Sequence, residues 1–346
     1  MSNETVESTD VALKVENLKI RFGDESKGLA IDGVSFEVRR GKTLAIVGES
    51  GCGKSVTAYS ILRLLQAPGK IVSGNIHLAS ESLGDIDIAE IEDGDERLFQ
   101  LRGGVIGMIF QEPMTALSPV HRVGEQIAEA LLLHQTIDEE TAKSRVLSIL
   151  RKVGMTHPES RYDQYPHELS GGLRQRIVIA MALITRPELV IADEPTTALD
   201  ATVQMQILRL IKQMQEEIAC SVLLITHDFG VVAQVADDVA VMYLGRIVES
   251  GPVEQIFDTP LHPYTKGLLK SLPINAVDGR MNAIPGSVPQ LTDRDECCPF
   301  RSRCVHAKTG ICDQATSSVL REVYRTHKVA CIRAEELLQE RTGNER

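Results

Sequence analysis

Apolar and polar positions alternate over Leu13–Phe22 and again over Val34–Val38, the period-two pattern of strands with one face buried. Thr43–Val47 is a short apolar run that stops at Gly48, a third strand candidate, and Lys54–Leu65 has helical periodicity. From Gly124 to Val153 the pattern is again helical, with Ile127, Ala130 and Leu131 and later Val146, Ile149 and Leu150 on the apolar face. Leu189–Ala192 and Ser221–Ile225 are almost uninterrupted apolar runs, as strands of a parallel sheet are when both faces are covered. Thr202–Ile218, between them, is predicted as a helix. Strands alternating with helices predict an α/β core. Past Gly251 the pattern changes: prolines recur from Pro252 to Pro299, and cysteines crowd in behind them. The expected division is a large domain over 11–260 and a small appended one over 261–346, without an internal repeat.

Composition removes some functions. The chain has 346 residues, 43% apolar and 25% charged, ordinary for a globular protein. A net charge of −11 disfavours nonspecific attraction to nucleic acid. No run approaches the roughly 18 apolar residues of a membrane span, and the polar, acidic Met1–Asp10 has no signal-peptide core. A cytosolic chain is expected, in which stable disulfides are not. Cys52 and Cys220 stand apart, whereas Cys297, Cys298, Cys304, Cys312 and Cys331 are packed into the C-terminal segment and need an explanation of their own.

Gly48-Glu49-Ser50-Gly51-Cys52-Gly53-Lys54-Ser55 matches G-x-x-x-x-G-K-[ST], and it lies between a predicted strand and a predicted helix. Glycines there let backbone N–H groups surround phosphates, and the helix N-terminus adds a favourable dipole. Lys54 is expected on the β- and γ-phosphates of ATP and the Ser55 hydroxyl on Mg²⁺. Cys52 is a structural occupant of a permissive position. Leu189-Val190-Ile191-Ala192 runs into Asp193-Glu194. A carboxylate at such a strand end holds Mg²⁺, which is the expectation for Asp193, and leaves Glu194 to polarise the attacking water as general base. A glycine-rich turn and an acidic strand end each arise by chance; the two in one chain, followed by Pro195-Thr196-Thr197-Ala198-Leu199-Asp200, do not.

Leu169-Ser170-Gly171-Gly172-Leu173-Arg174-Gln175-Arg176, between those motifs, resembles the signature of the ABC ATPase family. The resemblance implies a P-loop nucleotide-binding fold: a RecA-like core with an antiparallel β subdomain and an α-helical subdomain near 112–170. It also implies a head-to-tail dimer, with ATP between the P-loop of one subunit and Ser170, Gly171, Gly172 and Gln175 of the other. Gln111 then matches the glutamine that senses Mg²⁺ and the lytic water, so that Ser55, Gln111 and Asp193 share the metal. His227 matches the switch histidine, Asp200 the loop that communicates across the dimer, and Phe22 the aromatic that stacks on adenine.

Gln111-Glu112-Pro113-Met114-Thr115-Ala116-Leu117-Ser118-Pro119, His262-Pro263-Tyr264-Thr265-Lys266-Gly267-Leu268-Leu269, Ile284-Pro285-Gly286 and Cys298-Pro299-Phe300-Arg301-Ser302-Arg303-Cys304 together resemble ATPase subunits of dipeptide and oligopeptide importers, whose close relatives carry nickel. The implied partners are a distinct second ATPase, two transmembrane permeases and, indirectly, a solute-binding protein, at the cytoplasmic face of the cell membrane. A nickel or other small-solute importer is the nearest alternative. A non-transport ATPase acting on nucleic acid or ribosomes is remote, because one cassette without long heptads fits neither class.

Cys298, Cys304, Cys312 and Cys331 are separated by 5, 7 and 18 residues, neither a bacterial ferredoxin run nor the paired spacing of a zinc ribbon. Spacing alone leaves a soft metal, structural zinc or unliganded thiols open. The peptide-importer resemblance implies a [4Fe–4S] cluster on these four, with Cys297 as the spare.

Overall fold

In a computed structural model the described residues are 10–197, 199–275, 282–289, 297–314, 318–324 and 326–344. The acidic N-terminal run up to residue 9, and Ala198, lie outside them. In chain order the strands are β1 (Val11–Phe22), β2 (Leu29–Arg39), β3 (Thr43–Val47), β4 (Gly69–Ser80), β5 (Gly84–Asp87), β6 (Ile106–Ile109), β7 (Leu189–Asp193), β8 (Ser221–Thr226), β9 (Asp238–Tyr243), β10 (Arg246–Pro252), β11 (Arg321–Tyr324) and β12 (His327–Val329). The helices are α1 (Lys54–Ile61), α2 (Glu96–Leu101), α3 (Pro113–Ala116), α4 (Val123–Leu132), α5 (Glu139–Lys152), α6 (Pro158–Tyr162), α7 (Gly171–Leu183), α8 (Ala201–Ile218), α9 (Phe229–Val235), α10 (Val253–Asp258), α11 (Pro263–Lys270) and α12 (Ala334–Asn344).

The chain divides into two compact units. One takes the described residues up to Leu13 with Glu37–Thr43 and His77–Ile225; the other takes Lys14–Phe36, Leu44–Ile76 and the described residues from Thr226 onward. In the first, β6, β7 and β8 run parallel, with Ile106 opposite Leu189 and Leu189 opposite Ser221. Every residue of β7 and β8 is buried, as their apolar sequence requires. The helical pattern predicted over 124–153 is two helices. Leu132 ends α4, and Asp138 starts α5 by accepting a hydrogen bond from Thr141 N at 2.8 Å. Their apolar faces, Val123, Ile127 and Leu131 with Val146, Leu150 and Val153, are buried. Gly124 permits close packing here, since a Cβ on it would lie 2.2 Å from the Tyr162 ring.

In the second unit β3 and β9 are parallel, Leu44 opposite Asp238, while β9–β10, β10–β12 and β12–β11 are antiparallel, so the sheet is mixed. Here Glu249 of β10 is fully buried. Its carboxylate accepts from Leu261 N (2.6 Å), His262 N (3.0 Å) and His327 Nε2 (2.7 Å), joining β10, the start of α11 and β12. Leu261, Val329, Cys331 and Ala334 pack into a small core beside it. No helix among the described residues is long and apolar enough to cross a membrane.

Candidate functional site

In the second unit the buried strand β3 delivers the chain into the loop Gly48–Ser55, and α1 leaves it. Gly51 and Gly53 sit at φ +79° and +108°, and Gly53 occupies the N-cap of α1, so the loop turns into the helix with its N–H groups uncovered by side chains. Gly48 is required by close approach: a Cβ would stand 2.2 Å from the Met242 carbonyl oxygen. The Lys54 side chain is buried, its Nζ donating to the carbonyls of Gly48 (2.8 Å) and Glu49 (3.1 Å). Cys52 is buried beside them, and burial raises its thiol pKa, which suits a packing role. Phe22 ends β1, half-buried, with its ring against Gly69. His227 follows β8 and is exposed.

The first unit gathers the carboxylates. Asp193, the last residue of β7, is fully buried. Glu194 follows in the left-handed region, φ +46°, with its N–H donating to the Ile225 carbonyl at 2.9 Å. Its Oε2 accepts from Thr197 Oγ1 (2.8 Å) and Gln111 Nε2 (3.3 Å), so the structure joins Gln111, just past β6, to Glu194. Asp200 caps α8, accepting from the N–H groups of Thr202 and Val203, both at 3.0 Å. Ser170 is the N-cap of α7 without a side-chain bond to the helix; Ser170 and Gly171 are exposed, and nothing would meet a Cβ on Gly171 within 4 Å. That open helix start leaves N–H groups for an anion. Gln175, further along, is buried, with no partner for its Nε2 among the described residues.

Cys298, Cys304, Cys312 and Cys331 line one cavity in the second unit, together with His262 and Phe300. Cys297 is not among its lining residues and donates its thiol to the Asp313 carbonyl. Burial pushes the Cys298 thiol up to about 12 and Cys331 up to about 11, and raises Cys304. Burial also lowers His262 to about 4, so its ring is neutral. Nδ1 accepts from Tyr264 N at 3.1 Å, which puts the proton on Nε2, a fully buried atom with no partner among the described residues. No group of three His, Cys, Asp or Glu side chains among the described residues stands close enough to hold a metal ion as placed.

A family model described as ABC transporter matches residues 31–197, and one described as oligopeptide/dipeptide transporter, C-terminal region, matches 248–312. A probable peptide ABC transporter ATP-binding protein of Sinorhizobium fredii, y4tR, is 47% identical over 95% of this chain and 97% of its own. The dipeptide transport ATP-binding protein DppD of Bacillus subtilis is 49% identical over 87% of this chain and 89% of its own, and the oligopeptide transport protein OppD of the same organism is 50% identical over 85% and 82%. The chain belongs to the peptide ABC transporter ATP-binding family. Among solved structures, a dimeric post-hydrolysis ATP-binding cassette, MJ0796 with ADP and phosphate, superposes with a TM-score of 0.61 at 26% identity, covering 70% of this chain and 98% of its own. The fold is therefore that of an ABC cassette, α/β with mixed sheets, and the chain is an ABC-type ATPase to which ATP and Mg²⁺ are appropriate.

Residues of this peptide-transporter cassette that no short motif singled out also reach the phosphate loop. Arg303 pairs with the Glu49 carboxylate and Tyr264 Oη accepts from Glu49 N. Both lie in runs that identified the family, yet nothing local in the sequence names a partner more than 200 residues away.

Proposed function

We propose that this chain is the ATP-hydrolysing subunit that energises import of dipeptides or oligopeptides, peripheral at the cytoplasmic face of the cell membrane. The observation that supports it best is the likeness along nearly the whole chain to y4tR, named as a peptide transporter, together with the match of its C-terminal region. Lys54 meets the β- and γ-phosphates, and the amides around Gly51 and Gly53 line the loop that receives them. Ser55, Asp193 and Gln111 would hold Mg²⁺, which would neutralise phosphate charge when bound. Glu194 takes the proton of the attacking water; Thr197 and Gln111 aim its carboxylate, and His227 contacts the γ-phosphate. The open start of α7 at Ser170, Gly171 and Gly172 completes the site of a second subunit, with Gln175 buried behind it in the helix rather than on the nucleotide, and Asp200 reports across the dimer. Phe22 stacks on the base. The functional parts are a cassette over 11–260, with a helical subdomain near 112–170, and a C-terminal part over 261–346. The partners are a distinct second ATPase and two permeases, which the Gln111–Pro119 loop meets; a solute-binding protein delivers the peptide.

The thiol cavity fits a soft-metal centre in its donor chemistry: four cysteines, plus the orphaned His262 Nε2–H as a donor to sulfur. In this reading Cys298, Cys304, Cys312 and Cys331 hold a [4Fe–4S] cluster, which cross-links a proline-rich segment with little apolar core. Closing it requires the thiols to draw together and ionise, since they stand apart and, where burial acts on them, are held neutral. The importer reading is tested by reconstituting the chain with its permeases and second ATPase in proteoliposomes. ATP hydrolysis should rise when the binding protein is loaded with peptide; stimulation by nickel and not by any peptide would refute it.

A further inference from the structure

Glu49, the second residue of the phosphate loop, is held at its carboxylate, its N–H and its carbonyl. Its carboxylate accepts a parallel pair of hydrogen bonds from Arg303, 2.7 Å from Nη1 and 3.0 Å from Nη2. Its N–H donates to Tyr264 Oη at 3.0 Å, and its carbonyl accepts from Lys54 Nζ at 3.1 Å. Arg303 is no surface partner. Its side chain is 5% exposed, its Nε donates to the Pro285 carbonyl at 3.0 Å, and its guanidinium lies within 6 Å of the centres of the Tyr243 and Phe300 rings. Tyr264 is fully buried, its ring 4.7 Å from Tyr243 and 5.2 Å from Phe300. An exposed ion pair adds little. A bidentate pair whose arginine is boxed by aromatics has one geometry, and neither partner moves alone.

We propose that Arg303 and Tyr264 are positioning residues for ATP: they fix Glu49, and through its carbonyl Lys54, where the ammonium meets the phosphates. The inference rests on the ATP reading of the loop given above. It also gives the two C-terminal runs a task. Tyr264 is two residues from His262, and Arg303 adjoins Cys304, so each run has one end on the thiol cavity and the other on Glu49. Without these holds the loop samples more arrangements, and affinity falls by the fraction of time it spends out of place.

The test is binding of N-methylanthraniloyl-ATP with Mg²⁺ to the full-length chain, beside its melting temperature without nucleotide. Arg303→Ala should raise Kd about tenfold. Arg303→Lys, which keeps the charge and loses the fork, should raise it less, and Tyr264→Phe about threefold with a near-unchanged melting temperature. In the assembled transporter KM for ATP should rise with kcat little altered, whereas a role in stability alone would lower kcat through lost active protein. Wild-type Kd in Tyr264→Phe and Arg303→Lys would overturn the inference even if Arg303→Ala does not fold. Failure of the wild-type chain to bind the analogue would instead remove the ATP reading itself.

Discussion

At the scale of single residues, the chemistry is written in short runs and the supports are not. Gly48–Ser55, Asp193 and Glu194 can be proposed from sequence because phosphate binding and water activation need particular residue types at fixed local spacing. The left-handed backbone of Glu194 is not legible; that conformation costs a non-glycine residue about 1–3 kcal/mol and persists only where its surroundings impose it. Here the Ile225 carbonyl holds its N–H, while Thr197 and Gln111 hold its carboxylate. Glu194→Gln keeps that shape and removes the carboxylate proposed as the base. ATP should still bind, and hydrolysis by the assembled transporter should fall about 10²–10⁴-fold. The assay needs the partner's site disabled, and near-normal turnover would exclude Glu194 as the base. Lys54→Ala should instead weaken ATP binding.

At the scale of elements, strands buried on both faces were the easiest to find, and β7 and β8 lie within a residue of their predicted limits. Prediction over 124–153 missed the break because apolar faces of the same helical period stand on either side of it; the signal lay in the polar run from His134 and in Asp138 followed by Glu139 and Glu140, a helix start. Strand β9 carries no alternation, being buried from Val239 to Tyr243, and β10 has the charged Glu249 on its buried face, where a polar residue hides the pattern. The Asp200 cap should be worth about 1 kcal/mol to α8, measurable as a lower urea midpoint for Asp200→Ala. Cys220, between α8 and β8, is buried, and burial pushes its thiol up to about 11. An unfolded chain loses that proton near 9, so the unfolded form is favoured as pH rises from 9 toward 11. Cys220→Ala should flatten this part of the pH profile in urea titrations. For the thiol cavity, anaerobically purified protein should be brown with about four irons per chain, and Cys304→Ser or Cys312→Ser should bleach it. Colourless protein, with zinc or without metal, would reject the cluster.

At the scale of the whole molecule, the sequence announced a nucleotide-driven subunit because every local motif of the cassette is present. Pairings over long separations were invisible to it, and they decide how the C-terminal segment is attached. Native mass spectrometry of the assembled transporter should show one copy of this chain beside a different ATPase; two identical copies would rule out the heterodimer. Glu249 carries a consequence for where the chain can be cut. It is a buried carboxylate in β10, satisfied by two N–H groups at the start of α11 and by His327 of β12, which also covers the edge of β10. A truncation after residue 260 would strand a charge in the interior and bare an unpaired strand edge, a template for aggregation. The C-terminal segment is thus no detachable module: grafting or trimming of such subunits should respect this seam, and a shortened chain should precipitate where a Cys304→Ser chain stays soluble.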